Sequence, residues 1–194
     1  MSSLERNASH GTGAGGTRRR PLGAAWPLGM QCSVLALAVL AGGPARAEIK
    51  PGDIFPPLGS RELEGTAIPA TAGRVVLVDF WASWCAPCKA SFPAYEKIEA
   101  DFGSRGLVIV AVGEDNQPEA YGLFVKKFHP AFATVRDKSQ SLAREVKVPA
   151  MPTCYLVGRD GRVRFMHQGF HGADTDRELR RELEALLAEP SVLP

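Results

Sequence analysis

The sequence predicts an α/β fold, a three-layer sandwich in which a mixed central β-sheet carries helices on both faces. Three observations lead there. Val75-Val76-Leu77-Val78 and Leu107-Val108-Ile109-Val110-Ala111-Val112 are short, continuous apolar runs rich in β-branched residues, the pattern of strands covered on both sides. Between them, Phe92, Tyr95, Ile98 and Phe102 recur at a helical period. Beyond them, Thr153–Val157 and Val163–His167 alternate about the turn Arg159-Asp160-Gly161-Arg162, as a hairpin does.

Taken in order, the first 47 of the 194 residues read as a leader. Thr17-Arg18-Arg19-Arg20 is a positive patch, Cys32 to Ala41 is an apolar core of secretory-signal length, and Gly42-Gly43-Pro44 breaks it. Ala45-Arg46-Ala47 is an A-x-A cleavage pattern, which predicts export with Glu48 as the first mature residue. The core is about half of the roughly 20 residues that a membrane span needs, so cleavage is preferred to an uncleaved anchor. Arg18-Arg19 also fits twin-arginine targeting, with the apolar core following late. Cys32 belongs to the leader.

Residues 48–190 form the predicted domain. Its first part, 48–73, is rich in Pro and Gly and reads as an extended arm and a short hairpin around Arg61–Ile68. A strand over 75–81 follows, then a helix from about Ala86 to Phe102 that Pro93 should kink. After the strand 107–112, Asn116 is placed to cap a helix, Pro118 fits its first turn, and Tyr121, Phe124, Val125 and Phe128 make its apolar stripe. Such a βαβ unit crosses over right-handed and puts both strands in one sheet. A short strand near Phe132–Val135 and a helical turn over Ser139–Val146 come next. The last helix opens on a capping box, Thr175-x-x-Glu178, buries Leu179, Leu183, Leu186 and Leu187, and stops before Pro190.

Charge excludes one class of partner. Lys and Arg total 23 against 21 Asp and Glu, but Arg6, Arg18, Arg19, Arg20 and Arg46 lie in the leader with only Glu5. From Glu48 onward 18 cations face 20 acids, near −2, so no basic footprint for nucleic acid remains.

The chemistry converges on Val78-Asp79-Phe80-Trp81-Ala82-Ser83-Trp84-Cys85-Ala86-Pro87-Cys88-Lys89. A strand, an aromatic turn and a Cys-x-x-Cys opening a helix is a redox context. Cys85 would sit where unpaired N–H groups and the helix dipole favour an anion, which lowers a thiol pKa from about 8.5. Cys88 is close enough to close a disulfide and release whatever Cys85 has captured. Half a zinc site is the competing reading, but a structural zinc needs a second ligand pair, and Cys154 is single. His167 and His171 could pair on a metal, yet Gly169 lies between them with no third ligand, and solvated histidines are expected. Cys154, alternating inward with Leu156, reads as a small buried hydrophobe. Asp79 is a carboxylate inside an apolar strand: if buried, its pKa rises towards values useful for proton transfer; otherwise it points to solvent at the strand end.

These residues resemble the thioredoxin superfamily, position by position from Asp79-Phe80-Trp81-Ala82 through Trp84-Cys85, Pro87-Cys88-Lys89 and Pro93. The Pro51-Gly52-Asp53 opening and the long segment after 107–112 further resemble its exported TlpA/ResA-like members. The resemblance implies a thioredoxin-like three-layer sandwich with an added N-terminal hairpin, no cofactor, and a thiol–disulfide oxidoreductase. Cys85 would be the nucleophile, Cys88 the resolving thiol and Asp79 its proton partner. Pro152 matches the cis-proline of the family, and Trp84, Ala86, Pro87, Met151, Pro152 and Thr153 would line the client groove. Where ResA-like relatives carry a helix Glu, this chain has Ser91, and where they often have Asn it has Asp79. The implied partners are client proteins with disulfides or thiols, such as apocytochrome c or copper-site proteins, and a membrane thiol carrier as electron donor. The expected species is a periplasmic monomer acting as a reductase. Two other readings stay open: a net disulfide oxidant, and a copper chaperone in which Cys85 and Cys88 hold Cu(I).

Overall fold

The computed structural model describes residues 48–59 and 61–190. The leader, its expected cleavage site and Cys32 lie outside the described residues. The strands are β1 (Glu64–Gly65), β2 (Val75–Trp81), β3 (Leu107–Gly113), β4 (Ala133–Arg136), β5 (Thr153–Val157) and β6 (Val163–Gln168). The helices are α1 (Ala86–Phe102), α2 (Pro118–Phe128), α3 (Ser141–Val146) and α4 (Ala173–Ala188). One mixed sheet runs in the order β1-β4-β3-β2-β5-β6, with β2, β3 and β4 parallel and β5, β6 and β1 antiparallel to their neighbours. Every residue of β2 and β3 is buried, which is what their unbroken apolar runs demand.

Alternation along β2 divides the core. Val75, Leu77 and Trp81 face a cluster built with α1, α2 and α4 through Phe92, Ile98, Phe124, Leu179, Leu183 and Leu186. Val76, Val78 and Phe80 face the other side, where the cover is α3, through Leu142 and Val146, and the N-terminal arm, through Ile49, Phe55 and Leu58. The second helical layer is therefore a single six-residue helix completed by extended chain.

The hairpin expected within the arm is not found among the described residues. Glu64–Gly65 pairs instead with β4, and Ile54 makes an isolated bridge to Arg162. The physical reason is that β4 would otherwise present an open edge of unpaired backbone groups, which a nearby extended segment satisfies better than it can satisfy itself. Thr66 and Glu64 fasten the strand: the Thr66 N–H donates to the Thr134 carbonyl at 3.1 Å, and Glu64 Oε2 accepts from Arg136 Nη2 at 2.5 Å. Gly65, at φ +142°, is required there, because a Cβ would stand 2.5 Å from the Thr134 carbonyl oxygen. Phe55 is 7 % exposed, and its ring lies 5.5 Å from that of Tyr155. Phe55→Ala is expected to destabilise the fold by about 3–5 kcal/mol, the usual cost of emptying a buried aromatic site. Denaturant unfolding measures it; a loss below about 1 kcal/mol would show the arm to be ornamental.

Two helix starts differ from the sequence reading. Gln117, not Asn116, is the N-cap of α2, and the Asn116 side chain accepts from Gln140 Nε2 at 3.2 Å. The last helix opens at Ala173 after Gly172, two residues before Thr175, whose hydroxyl accepts the His171 N–H at 3.0 Å. Gly172 takes φ +65°, a turn that a capping side chain could not make as cheaply.

Candidate functional site

Strand β2 ends at Trp81, and the chain turns through Ala82-Ser83-Trp84 into α1. Trp81 anchors the turn from below: it is fully buried, with ring centroids 5.0 Å from Phe92 and 4.2 Å from Phe124. Asp115, just past β3, holds it from the side. Its Oδ2 accepts the Ser83 N–H at 2.9 Å and its Oδ1 the Ser83 hydroxyl at 2.7 Å.

Cys85 is the N-cap of α1, in extended conformation, and its sulfur accepts the Cys88 N–H at 3.2 Å. Pro87 sits in the first turn, where a missing N–H costs nothing. Cys85 and Cys88 are joined as a disulfide with Cα atoms 5.3 Å apart. Cys88 is wholly buried and Cys85 is 5 % exposed, while its chain neighbours Trp84, Ala86 and Pro87 are all exposed, Trp84 to 69 %. The first turn carries no acid, so a thiolate formed at Cys85 on reduction meets the positive helix end unopposed.

The Met151–Pro152 peptide is cis. Thr153 is the register partner of Phe80, so the antiparallel register carries Pro152 level with Trp81, the last residue of β2, and Met151 past it, beside the turn that leads to Cys85. Met151 packs on the apolar cluster that includes both cysteines. The segment is pinned: the Thr153 hydroxyl donates to the Ala150 carbonyl at 2.8 Å, and the Gly169 N–H to that of Pro152 at 2.8 Å.

Asp79 does not point to solvent. It is fully buried, and its Oδ1 accepts the Tyr95 hydroxyl at 3.0 Å while Oδ2 has no partner. Burial pushes its carboxyl up to about 8, the Tyr95 hydrogen bond pulling the other way. In this disulfide form Asp79 therefore carries a proton at neutral pH. Cys154 is the cross-strand partner of Asp79, buried and unpaired, with its thiol pushed well above the ordinary range by burial first and by Asp79 second. That is the environment of an inert thiol.

His167 departs from the expectation of a solvated histidine. It is the register partner of Cys154, under α4, and its Nε2 lies 2.6 Å from Glu182 Oε2, with both side chains nearly covered. An amphipathic helix laid over β6 encloses it, and a residue so enclosed needs a partner. Among the described residues no group of three or more His, Cys, Asp or Glu is arranged to hold a metal ion.

Three polar residues of this region are not singled out by the sequence reading. Tyr95 enters it only within an apolar stripe, although a hydroxyl there, facing a buried strand acid, is the clue. Asp115 and Glu114 follow directly on the β3 run. Glu114 is 4 % exposed, its carboxyl pushed up to about 8 by burial and then by Asp137, and it lines a cavity of 440 Å³ with Arg144 and Met151.

Comparison with known proteins adds the following. The Redoxin family pattern matches residues 50–183. The thiol-disulfide oxidoreductase ResA of Bacillus subtilis (strain 168) is 30 % identical over 128 residues, 65 % of this chain and 70 % of that protein. The ResA of Oceanobacillus iheyensis is 32 % identical over 97 residues, a match that spans only 50 % of each chain. A crystal structure from Chlorobium tepidum, described as a thiol:disulfide interchange protein DsbE, superposes with a TM-score of 0.64 at 31 % identity, covering 73 % of this chain and 100 % of that one.

Proposed function

The chain belongs to the Redoxin family and, within it, to the ResA-like thiol–disulfide oxidoreductases; on that premise we propose that it is an exported reductase of client-protein disulfides. The observation that carries this reading is the Cys85–Cys88 pair at the first turn of α1, one sulfur at the helix cap and the other sealed beneath it. In the reduced protein the Cys85 thiolate attacks a client disulfide, forming a Cys85–client bond and expelling the client's other sulfur, which takes a proton from water. The Cys88 thiol then passes its proton to Asp79 and attacks Cys85 Sγ. The Cys85–Cys88 bond forms, the client leaves as a thiolate, and two electrons have moved from the dithiol to the client. In the reverse half-cycle Asp79 returns the proton as Cys88 is reduced, a role that its protonated state in the disulfide form supports. The client backbone pairs beside Met151-Pro152, with Trp84, Ala86, Pro87 and Thr153 around it.

The leader pattern supports export to an oxidising compartment, where a working dithiol must be fed electrons, here by a membrane thiol carrier. Among the described residues no helix is long and apolar enough to cross a membrane. Proteins with disulfides at cytochrome c or copper-binding cysteines are the clients that the resemblance favours, met by a monomer.

Direction is the testable part. Neither Ala86 nor Pro87 adds positive charge beside Cys85, so the thiolate is stabilised by the helix end alone, with Lys89 nearby. Equilibration of the protein with glutathione buffers is expected to give a reduction potential nearer the roughly −270 mV of thioredoxin than the roughly −120 mV of the strong oxidants. A value more positive than about −150 mV would keep the residues and reverse the arrow.

A further inference from the structure

We propose that Tyr95 is the positioning residue for the acid–base step: by engaging Asp79 Oδ1 it presents the free oxygen, Oδ2, to Cys88. The proposal rests on Asp79 serving Cys88, and it deepens that role by naming what aims the carboxyl.

A carboxyl at the end of a short side chain rotates readily, since its last torsion is broad and two-fold. Buried in an apolar sheet with nothing to hold it, either oxygen could face any way. The Tyr95 hydroxyl removes that freedom by donating to Oδ1 at 3.0 Å, and Oδ2 is left buried without a partner. Tyr95 lies seven residues after Cys88 on the same buried face of α1, with Ser91 between them. Helical side chains lean back over the preceding turn, so the Tyr95 hydroxyl reaches towards Ser91 and Cys88 rather than away. Ser91 is in contact with both neighbours: it interacts with the Tyr95 hydroxyl, and its own hydroxyl donates to the Cys88 carbonyl at 2.9 Å. The carboxyl that Tyr95 holds is therefore brought under the turn that carries the resolving thiol.

The ring alone does not account for a tyrosine here. It packs edge-on to Phe132 and Phe170 at 6.3 and 6.4 Å, contacts that phenylalanine would make equally. The hydroxyl, in a position 1 % exposed, has Asp79 as its acceptor. Cys154 of β5 is the register partner of Asp79 and also interacts with the Tyr95 hydroxyl, as Ser91 does. Cys88 lies on the same buried face of α1 as Ser91 and Tyr95, and His167 of β6 stands one strand further, paired with Glu182 of α4. Burial keeps both the Tyr95 hydroxyl and the Cys154 thiol protonated, so Tyr95 remains a donor through the working pH range.

The test uses the reduced protein with Ellman's reagent, which releases one thionitrobenzoate on attack by Cys85 and a second when Cys88 resolves the adduct. The two phases are followed by stopped flow from pH 6 to 10 in wild type, Tyr95→Phe and Asp79→Asn. Tyr95→Phe removes a bond that stabilises the Asp79 carboxylate, so the rising limb of the second phase is expected to move up by about one pH unit, the scale of one such hydrogen bond. At pH 7 the second phase should slow about tenfold relative to the first, since one pH unit is a factor of ten in ionised carboxylate. A second-phase profile unchanged in Tyr95→Phe, with Asp79→Asn altering it, overturns the proposal and leaves the role of Asp79 standing. A second phase unaffected by Asp79→Asn overturns both.

Discussion

Cys85→Ser is expected to abolish disulfide reduction, leaving only uncatalysed exchange, whereas Cys88→Ser is expected to accumulate mixed disulfides with clients. The asymmetry follows from where the two sulfurs sit. Cys85 caps α1 between the exposed Trp84 and Ala86, and its thiolate is stabilised by the helix end. Cys88 is completely covered, whereas Cys85 keeps a small exposed surface. An alcohol at position 85 is not ionised at neutral pH and cannot start the exchange, so no later step is reached. An alcohol at position 88 lets the first step proceed and removes the second, so the captured client stays bound. Insulin-reduction turbidity reads the loss, and mass spectrometry of protein trapped with an unfolded disulfide client reads the adducts. Equal trapping by both variants would show the nucleophile to be wrongly assigned.

Asp79→Asn should act twice, in opposite senses. The amide cannot take the Cys88 proton, so resolution of the mixed disulfide is expected to slow by about 10²–10⁴-fold, the usual worth of general acid–base help, with the initial attack much less affected. The same substitution should stabilise the disulfide form. Asp79 ionises near 3.8 in the unfolded chain and near 8 when folded, because burial disfavours its charge. Its favourable contribution is complete below about pH 4 and is lost as pH rises towards 8. At pH 7 about three pH units of that loss have accrued, on the order of 4 kcal/mol at about 1.4 kcal/mol per unit. The amide, which does not ionise, would be free of it. Thermal unfolding of the two oxidised proteins at pH 4 and pH 7 checks the sign: the gap should open at the higher pH. A gap independent of pH would mean that Asp79 does not carry the titration.

What the sequence discloses and what it withholds divide along a physical line. Strands β2 and β3, helix α1 with its cysteines, and the β5–β6 hairpin are encoded by periodicity or by turn residues within a few positions of one another, and each lies where the pattern puts it. The arm reads wrongly because its strand pairs with β4, some seventy residues away, and local alternation carries no record of a distant partner. The same holds for Tyr95 with Asp79 and for His167 with Glu182: each pair is made by one helix laid across one strand, and neither residue type announces its mate. The helix starts at 117 and 172 lie one to three residues from the side-chain caps on offer, because the chain uses a capless residue and a glycine instead.

The cover over the second face of the sheet has a consequence for the order of assembly. Ile49 is tied to Val146, Gly52 and Asp53 to Val163, and Phe55 to Gly161, so the opening segment of the domain finds its partners about a hundred residues later. Closing loops of that length costs entropy that no contact repays until α3, β5 and β6 are in place. The arm is therefore expected to dock late, and until then only α3 covers Val76, Val78 and Phe80, leaving open the part of that apolar face that Ile49, Phe55 and Leu58 close. A chain held at any earlier stage would be sticky on one side only, with the dithiol on the finished half and the unfinished half open to chaperones or to aggregation.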